Sequence, residues 1–399
     1  MRFLTAGESH GKELTVIIEG LPSNLSVNKD DIDIELARRQ SGYGRGMRMK
    51  IEKDEIEITS GVRYGRTLGS PLTMKITNRD FENWQEKMSV SPLKNRAEKI
   101  TIPRPGHADL TGTFKYNYDD IRNSIERSSA RETAARVAVG AVAKILLNSF
   151  DISVGSFVES IGGIYPADSA LKNMLQRFDP ELMHIKDLSN IADQSDVRVL
   201  EKKQEERIIR KIRQAKKNGD TLGGTMIVAA EGVPVGLGSF VHYDRRLDAA
   251  ITFAIMSINA IKGVEIGAGF ESADKPGSEV HDEITYDGYS FGRKTNRAGG
   301  IEGGISTGLP IIIRAAMKPI ATLMSPIESV DLKTLKPVDA RRERSDFVAV
   351  PACAVICEAM TAWTVADFFL QKFSGDSMED IKSSYAAYKI RLQKQLRRF

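Results

Sequence analysis

Histidines set among glycines, and arginines gathered on glycine-rich loops, are the residues of this chain whose types and spacing could do chemistry. His107 stands in the Pro105-Gly106-His107 turn of the stretch Thr101–Val137, one of five histidines in 399 residues. Further along, Arg127-Ser128-Ser129 precedes a run of good helix formers, Arg131–Ala138, that continues apolar to about Leu147. Ser128 or Ser129 is placed to cap that helix, and the N–H groups at its start, beside Arg127 and Arg131, would suit an anion. A hinged histidine joined by a short acidic connector to an anion-binding helix start points to proton transfer on a phosphorylated molecule. The competing reading is a capped core helix with a turn histidine.

A second such turn lies near the beginning. Gly7 and Gly11 flank Glu8-Ser9-His10, and glycine on both sides lets the backbone approach a ligand closely. Arg38, Arg39, Arg45 and Arg48 crowd around Gly42, Gly44 and Gly46. Guanidinium groups on such a loop suit forked recognition of phosphate or carboxylate. An RNA-binding Arg-Gly segment is the alternative from another class, although only Tyr43 is interleaved there as an aromatic. A net charge of +4 is too small to imply nucleic acid by itself. Cys353 and Cys357, one helical turn apart in an apolar segment, read as buried free thiols of a reducing compartment. No signal-peptide pattern opens the chain and no run approaches the ~18 apolar residues of a membrane span, so a soluble, cytoplasmic protein is expected.

These residues need a large scaffold. With 41% hydrophobic and 28% charged residues, the chain is expected to be globular with a sizeable core. Strands are expected on both sides of the Gly7–Gly11 turn, at Ile56–Ile58, Pro71–Ile76, Ser153–Ser160, Thr225–Ala230 and Gly238–Val241. Helices are expected over about Asp30–Arg39, from Arg131 to Leu147, along a charged stretch from Asp179 to Lys217, and over Leu247–Ile261 and Val350–Leu370. Residues 271–297 read as a mobile flap. The glycine cluster of residues 299–308 precedes a strand, so it is not a dinucleotide fingerprint. Residues 375–399 form a basic helical tail, solvated or packed on a partner subunit. One α/β domain over residues 1–399 follows, and no metal-ligand pattern appears: His242 and Asp244 lack a third ligand at a recognisable spacing. His184, His242 and His281 read as structural or surface residues.

Five segments taken together, Gly7–Gly11, Arg104–Gly112, Arg127–Ala138, Gly303–Gly308 and Arg342–Ala352, resemble chorismate synthase in order and spacing over essentially the whole chain. The resemblance implies an α/β (α+β) fold, a single β-α-β sandwich domain, in a homotetramer. It implies a carbon–oxygen lyase of the shikimate pathway that converts 5-enolpyruvylshikimate 3-phosphate to chorismate and phosphate, with reduced FMN required but not consumed and NADPH a candidate reductant. Nucleic acid and membrane have no part in it. A flavin reductase without lyase activity is a third reading, disfavoured by the absent dinucleotide fingerprint. Two departures from the family pattern stand out: Ala321 replaces a common proline, and Phe347-Val348 stand where a cysteine is frequent.

The chemistry agrees with the resemblance. The substrate carries a phosphate and two carboxylates, and the proton leaves a carbon with no activating carbonyl, so basic residues, a proton donor and an electron-lending cofactor are all needed. Carried over residue by residue, the resemblance implies His10 as the acid at the substrate phosphate, supported by Ser9, and His107 against the flavin. Asp346 would accept the departing proton, directly or through the flavin. Arg39, Arg45, Arg48, Arg131 and Arg344 would hold substrate, with Arg39 and Arg45 also matching NADPH contacts. Arg127, Ser128, Ser129, Asn259, Ala260, Gly303, Lys318, Pro319, Ile320, Ala321, Thr322 and Arg344 would contact the flavin.

Overall fold

The computed structural model describes residues 1–45, 52–94, 97–176, 184–288, 290–343 and 346–396. Arg48, Arg344 and the start of the stretch expected to be helical from Asp179 lie outside them. The strands that build the two large sheets are β1 (Arg2–Ala6), β2 (Glu13–Glu19), β3 (Ile56–Ser60), β4 (Leu72–Thr77), β5 (Ser153–Ile161), β6 (Gly224–Glu231), β7 (Ile261–Ile266) and β8 (Ile311–Met317). The helices that matter here are α1 (Lys29–Gln40), α2 (Asp109–Lys115), α3 (Arg122–Ser128), α4 (Thr133–Asn148), α5 (Ile185–Asp193), α6 (Lys202–Lys217), α7 (Leu247–Met256), α8 (Val350–Lys372) and α9 (Met378–Leu396).

Among the described residues, one antiparallel sheet runs β1-β2-β4-β3 and the other β7-β8-β6-β5. Helices α1, α4, α7 and α8 lie between them, so the expected β-α-β sandwich is the architecture. The strand sequences explain this layering. Leu14, Val16 and Ile18 of β2 and Leu72, Met74 and Ile76 of β4 alternate onto one buried face. In β6, Met226, Val228 and Ala230 enter the central core, while Ile227 and Ala229 enter a smaller core under α5. A strand covered on both faces reads as a continuous apolar run.

The middle layer is tight because its helices carry small residues. A Cβ on Gly140 of α4 would lie 2.3 Å from Ala359 Cβ and 2.5 Å from Ala359 Cα of α8. Gly140→Ala is therefore expected to destabilise by ~1–3 kcal/mol through overpacking, despite the ~1 kcal/mol that alanine normally adds to a helix. An unchanged urea midpoint would mean that the two helices separate freely. By length and composition α8 could cross a membrane, which corrects the expectation that no run is so apolar. Its most apolar window is 89% buried inside the protein, as a core helix is.

Several elements differ from expectation. The stretch reaching Lys217 is two helices, α5 and α6. Between them Arg198 takes φ +60, and its carbonyl accepts from the Val158 N–H of β5 (2.8 Å), so this segment joins the sheet rather than continuing a helix. Gly238–Val241 is no strand; Gly238 makes only an isolated bridge to Ile305. Helix α7 stops at Met256, and Ile261 begins β7. Residues 271–297 contain a short helix, Gly277–Val280, and a hairpin of Ile284–Tyr286 with Phe291–Arg293. The tail helix α9 is laid on its own chain, with Tyr385 edge-on to Phe369 and Phe373 at 5.3 and 5.0 Å.

Candidate active site

Between β1 and β2 the chain reverses through Gly7–Lys12. Gly7 takes φ +109, where a Cβ would meet the Glu13 carbonyl at 2.4 Å, so this turn requires glycine. Asn78, just past β4, donates its amide to the carbonyls of Gly11 (2.7 Å) and Glu8 (3.2 Å). Helix α3 holds the other side. The Ser9 N–H donates to the Glu126 carbonyl (2.9 Å), and the His10 N–H donates to Glu126 Oε2 (2.8 Å). His10 Nδ1 lies 3.0 and 3.1 Å from the two carboxylate oxygens of Glu126. Trp84 stacks on the imidazole, with centroids 3.8 Å apart and planes at 23°. Burial alone would raise the Glu126 carboxyl. Hydrogen bonds and charge from His10, with a bond from Arg122, outweigh that and hold it below its ordinary value.

His107 stands at the foot of α2 and is built alike. Its Nδ1 lies 2.5 Å from Asp109 Oδ1. Asp109 is fully buried, and Arg104 grips it through Nε (2.8 Å), Nη2 (3.0 Å) and its backbone N–H (3.0 Å). Arg104 Nη1 also reaches Thr322 Oγ1 and Glu343 Oε2, both at 3.1 Å. Burial pushes the Asp109 carboxyl up, but bonds from His107 and Arg104 reverse the shift and hold it far below the usual carboxylate range.

Beneath the His10 turn lies the arginine cluster. Arg131 donates to Asn78 Oδ1 (2.8 Å) and to Asp54 Oδ1 (2.6 Å), while Arg39 reaches Asp54 Oδ2 (3.3 Å) and Thr133. Arg45 pairs with Asp346 at 2.8 Å. Burial, the largest cause, lowers the Arg39 guanidinium to about 10; Asp54 opposes this, and Arg131 and Arg45 add to it. Arg38, the next residue on α1, points elsewhere, into an ion pair with Glu358 of α8. Ser9 is buried and shares a hydrogen bond with Ser129 Oγ (3.1 Å). Ser129, rather than Ser128, is the cap: it accepts from the Arg131 N–H at a short 3-10 turn before α4, while Ser128 ends α3.

The two histidine sites adjoin where Ser124 Oγ of α3 donates to the Ala108 carbonyl (2.9 Å), and Arg341 shares Glu343 with Arg104. Burial lowers the Arg341 guanidinium; Glu343 and Asp109 oppose this, and Arg122 and Arg104 add to it, so it lies within electrostatic reach of both groups. Two buried guanidinium nitrogens, Arg131 Nη2 and Arg341 Nη1, have no hydrogen-bond partner among the described residues. Such orphaned donors suit incoming anions. His10, His107 and Asp346 thus stand along one network of charged and hydrogen-bonded groups.

Most of the residues matched to the flavin adjoin this network. Asn259 Nδ2 donates to the Ser128 carbonyl (3.0 Å), and the Lys318 N–H donates to the Ala260 carbonyl (2.9 Å). Lys318 Nζ donates to the Gly106 carbonyl (2.5 Å), and Ala321 lies beside Gly106. The Ile320 carbonyl, after Pro319, accepts from Thr221 (2.7 Å). Arg127 donates to the carbonyls of Gly7 (3.0 Å) and Thr5 (2.9 Å), bracing the His10 turn. Arg127, Ser129 and Asn259 line an open cavity of about 680 Å³, but His107, Lys318 and Thr322 do not. Gly303 stands apart. Its neighbour Gly304 accepts from Leu247 at the start of α7, whereas Asn259 follows the end of that ten-residue helix, ~15 Å away.

The family model for chorismate synthase matches residues 1–370. This chain belongs to the chorismate synthase family. It is 54% identical to the chorismate synthase of Syntrophotalea carbinolica, with 97% of each chain covered. It is 52% identical to that of Enterococcus faecalis, covering 98% of this chain and all of the relative. A crystal structure of chorismate synthase superposes with a TM-score of 0.79 at 42% identity, covering 98% of each chain. Chorismate synthesis is the function that membership carries. Nothing in these likenesses supports the RNA-binding alternative, and Arg39 and Arg45 are paired with acids rather than displayed along a groove.

Sequence reasoning missed the partners of the family's residues. Asp109 could have been suspected from its place two residues after His107 on the next helix. Glu126, Asp54, Asn78 and Trp84 carry no local signal that links them to their partners.

Proposed function

We propose that this member of the chorismate synthase family, folded as one domain, eliminates phosphate from 5-enolpyruvylshikimate 3-phosphate as a carbon–oxygen lyase that requires reduced FMN. The observation that carries the reading is the pair of imidazoles, each with Nδ1 against a buried carboxylate, in one network with Arg39, Arg131 and Asp346. Arg39, Arg45 and Arg131, with Arg48 and Arg344, bind the substrate anions. His10, supported by Ser9, gives a proton to the departing phosphate. His107 holds a proton against the cofactor ring, and Asp346 takes the proton lost from carbon. An arriving substrate carboxylate competes for Arg45 and so loosens its ion pair with Asp346. Ser128, Ser129, Asn259, Ala260, Lys318 and Thr322 would hold the flavin: Ser129 and Asn259 line the open cavity of about 680 Å³, and Lys318 and Thr322 stand against Gly106 and Arg104 beside His107. When bound, reduced FMN supplies the electron density that makes phosphate loss feasible. NADPH, at Arg39 and Arg45, is a candidate source of reducing equivalents. A cytoplasmic homotetramer completes the reading.

Purified protein, kept strictly anaerobic, is expected to release chorismate and phosphate together when reduced FMN is supplied, and neither with oxidised FMN. Folded protein that gives no chorismate under reducing conditions would overturn the proposal.

A further inference from the structure

We infer that Glu126 is a positioning residue for His10, fixing which ring nitrogen carries the transferable proton; this rests on the reading of His10 as proton donor. An ionised carboxylate only accepts hydrogen bonds, so the Nδ1 that it faces must carry a hydrogen. The transferable proton is thereby assigned to Nε2, on the opposite edge of the ring. The same side chain accepts the His10 N–H, and the Glu126 carbonyl accepts the Ser9 N–H, so a single residue sets both the turn and the ring. Trp84 stacks on one ring face and so opposes its rotation.

The charges around the ring are unequal. Asp109, behind His107, is neutralised by three bonds from Arg104. Arg122 reaches Glu126 at a single 3.3 Å contact and also stands 4.9 Å over the Trp84 ring. Lys87 lies over the same ring at 4.9 Å, and Glu8 shares the turn with His10. Glu126 is thus left chiefly to His10 for its hydrogen bonds, whereas Asp109 is held mainly by Arg104.

Glu126→Gln tests this without emptying the site. Its amide oxygen can still accept from the His10 N–H, but its NH₂ faces Nδ1 and imposes the other tautomer. The variant is expected to lose roughly 10²-fold in kcat with little change in KM. Nitrogen-15 NMR of the wild-type protein provides the second measurement, independent of turnover and of how the variant folds. Neutral His10 should be the Nδ1–H tautomer. An Nε2–H tautomer in the wild type, or an undiminished kcat in a folded Glu126→Gln, overturns the inference. Absence of chorismate formation by the wild type overturns the proposed function instead and leaves the tautomer measurement standing.

Discussion

His10→Ala and His107→Ala are each expected to lower turnover by at least ~10²-fold, the usual reach of a positioned proton donor. Neither change should unfold the protein. Without the His107 ring, Asp109 keeps its bonds from Arg104, so no unpaired charge is left in the interior. Without the His10 ring, Glu126 keeps the backbone N–H of residue 10 and its contact with Arg122. The stability loss should stay within the ~0.5–3 kcal/mol of an ordinary substitution. Anaerobic turnover with reduced FMN, measured beside circular dichroism, separates the two effects. Near-wild-type rates in both variants would remove histidine from the mechanism.

The largest effect on stability is expected at Glu358, which has no part in that proton transfer. It is 1% exposed and accepts from Arg38 (2.7 and 3.1 Å), Lys144 (2.6 Å) and Ser156 (2.7 Å), joining α1, α4, α8 and β5. Burial raises its carboxyl, but the charges of Lys144 and Arg38 more than reverse this and hold it far below its ordinary 4.5. Glu358→Gln leaves buried cations short of a counter-charge and should lower unfolding free energy by ~3–5 kcal/mol at neutral pH. Because the folded-state value is depressed, this contribution is fully present above pH 4.5 and is lost as pH falls toward the folded-state value. The gap between wild type and variant in urea titrations should therefore narrow on acidification below 4.5. A gap that is constant from neutral to acid pH would show that the carboxylate charge is not what holds these helices. The pair also has a consequence for the site. Successive helical residues point ~100° apart, so fixing Arg38 against the core turns Arg39 toward Asp54.

Helix starts, alternating strands and the apolar middle helices were legible because local periodicity encodes them. The segments misread are those where a distant contact overrides local preference. Residues 194–201 abandon a helical composition to pair with β5 and to accept the Tyr43 N–H at Asp196. The supposed connector between His107 and Arg127 folds into α2 and α3 because Asp109 and Glu126 are drawn inward to the two histidines. Gly303 matched the family motif, yet within this chain it lies at the far end of α7 from Asn259.

The sequence by itself offered the candidates for the chemistry: His10 and His107 beside glycines and the arginines of residues 39–48 and 131, to which the family resemblance added Asp346. Glycine and proline around a reactive side chain leave a local mark that needs no fold to be read. Only the tertiary structure decided what each of them faces. Glu126 meets His10 across 116 residues, and Asp54 meets Arg131 across 77. Hydrogen bonding and burial act through space, and the chain order holds no record of a contact that exists only once two sheets have closed on their helices.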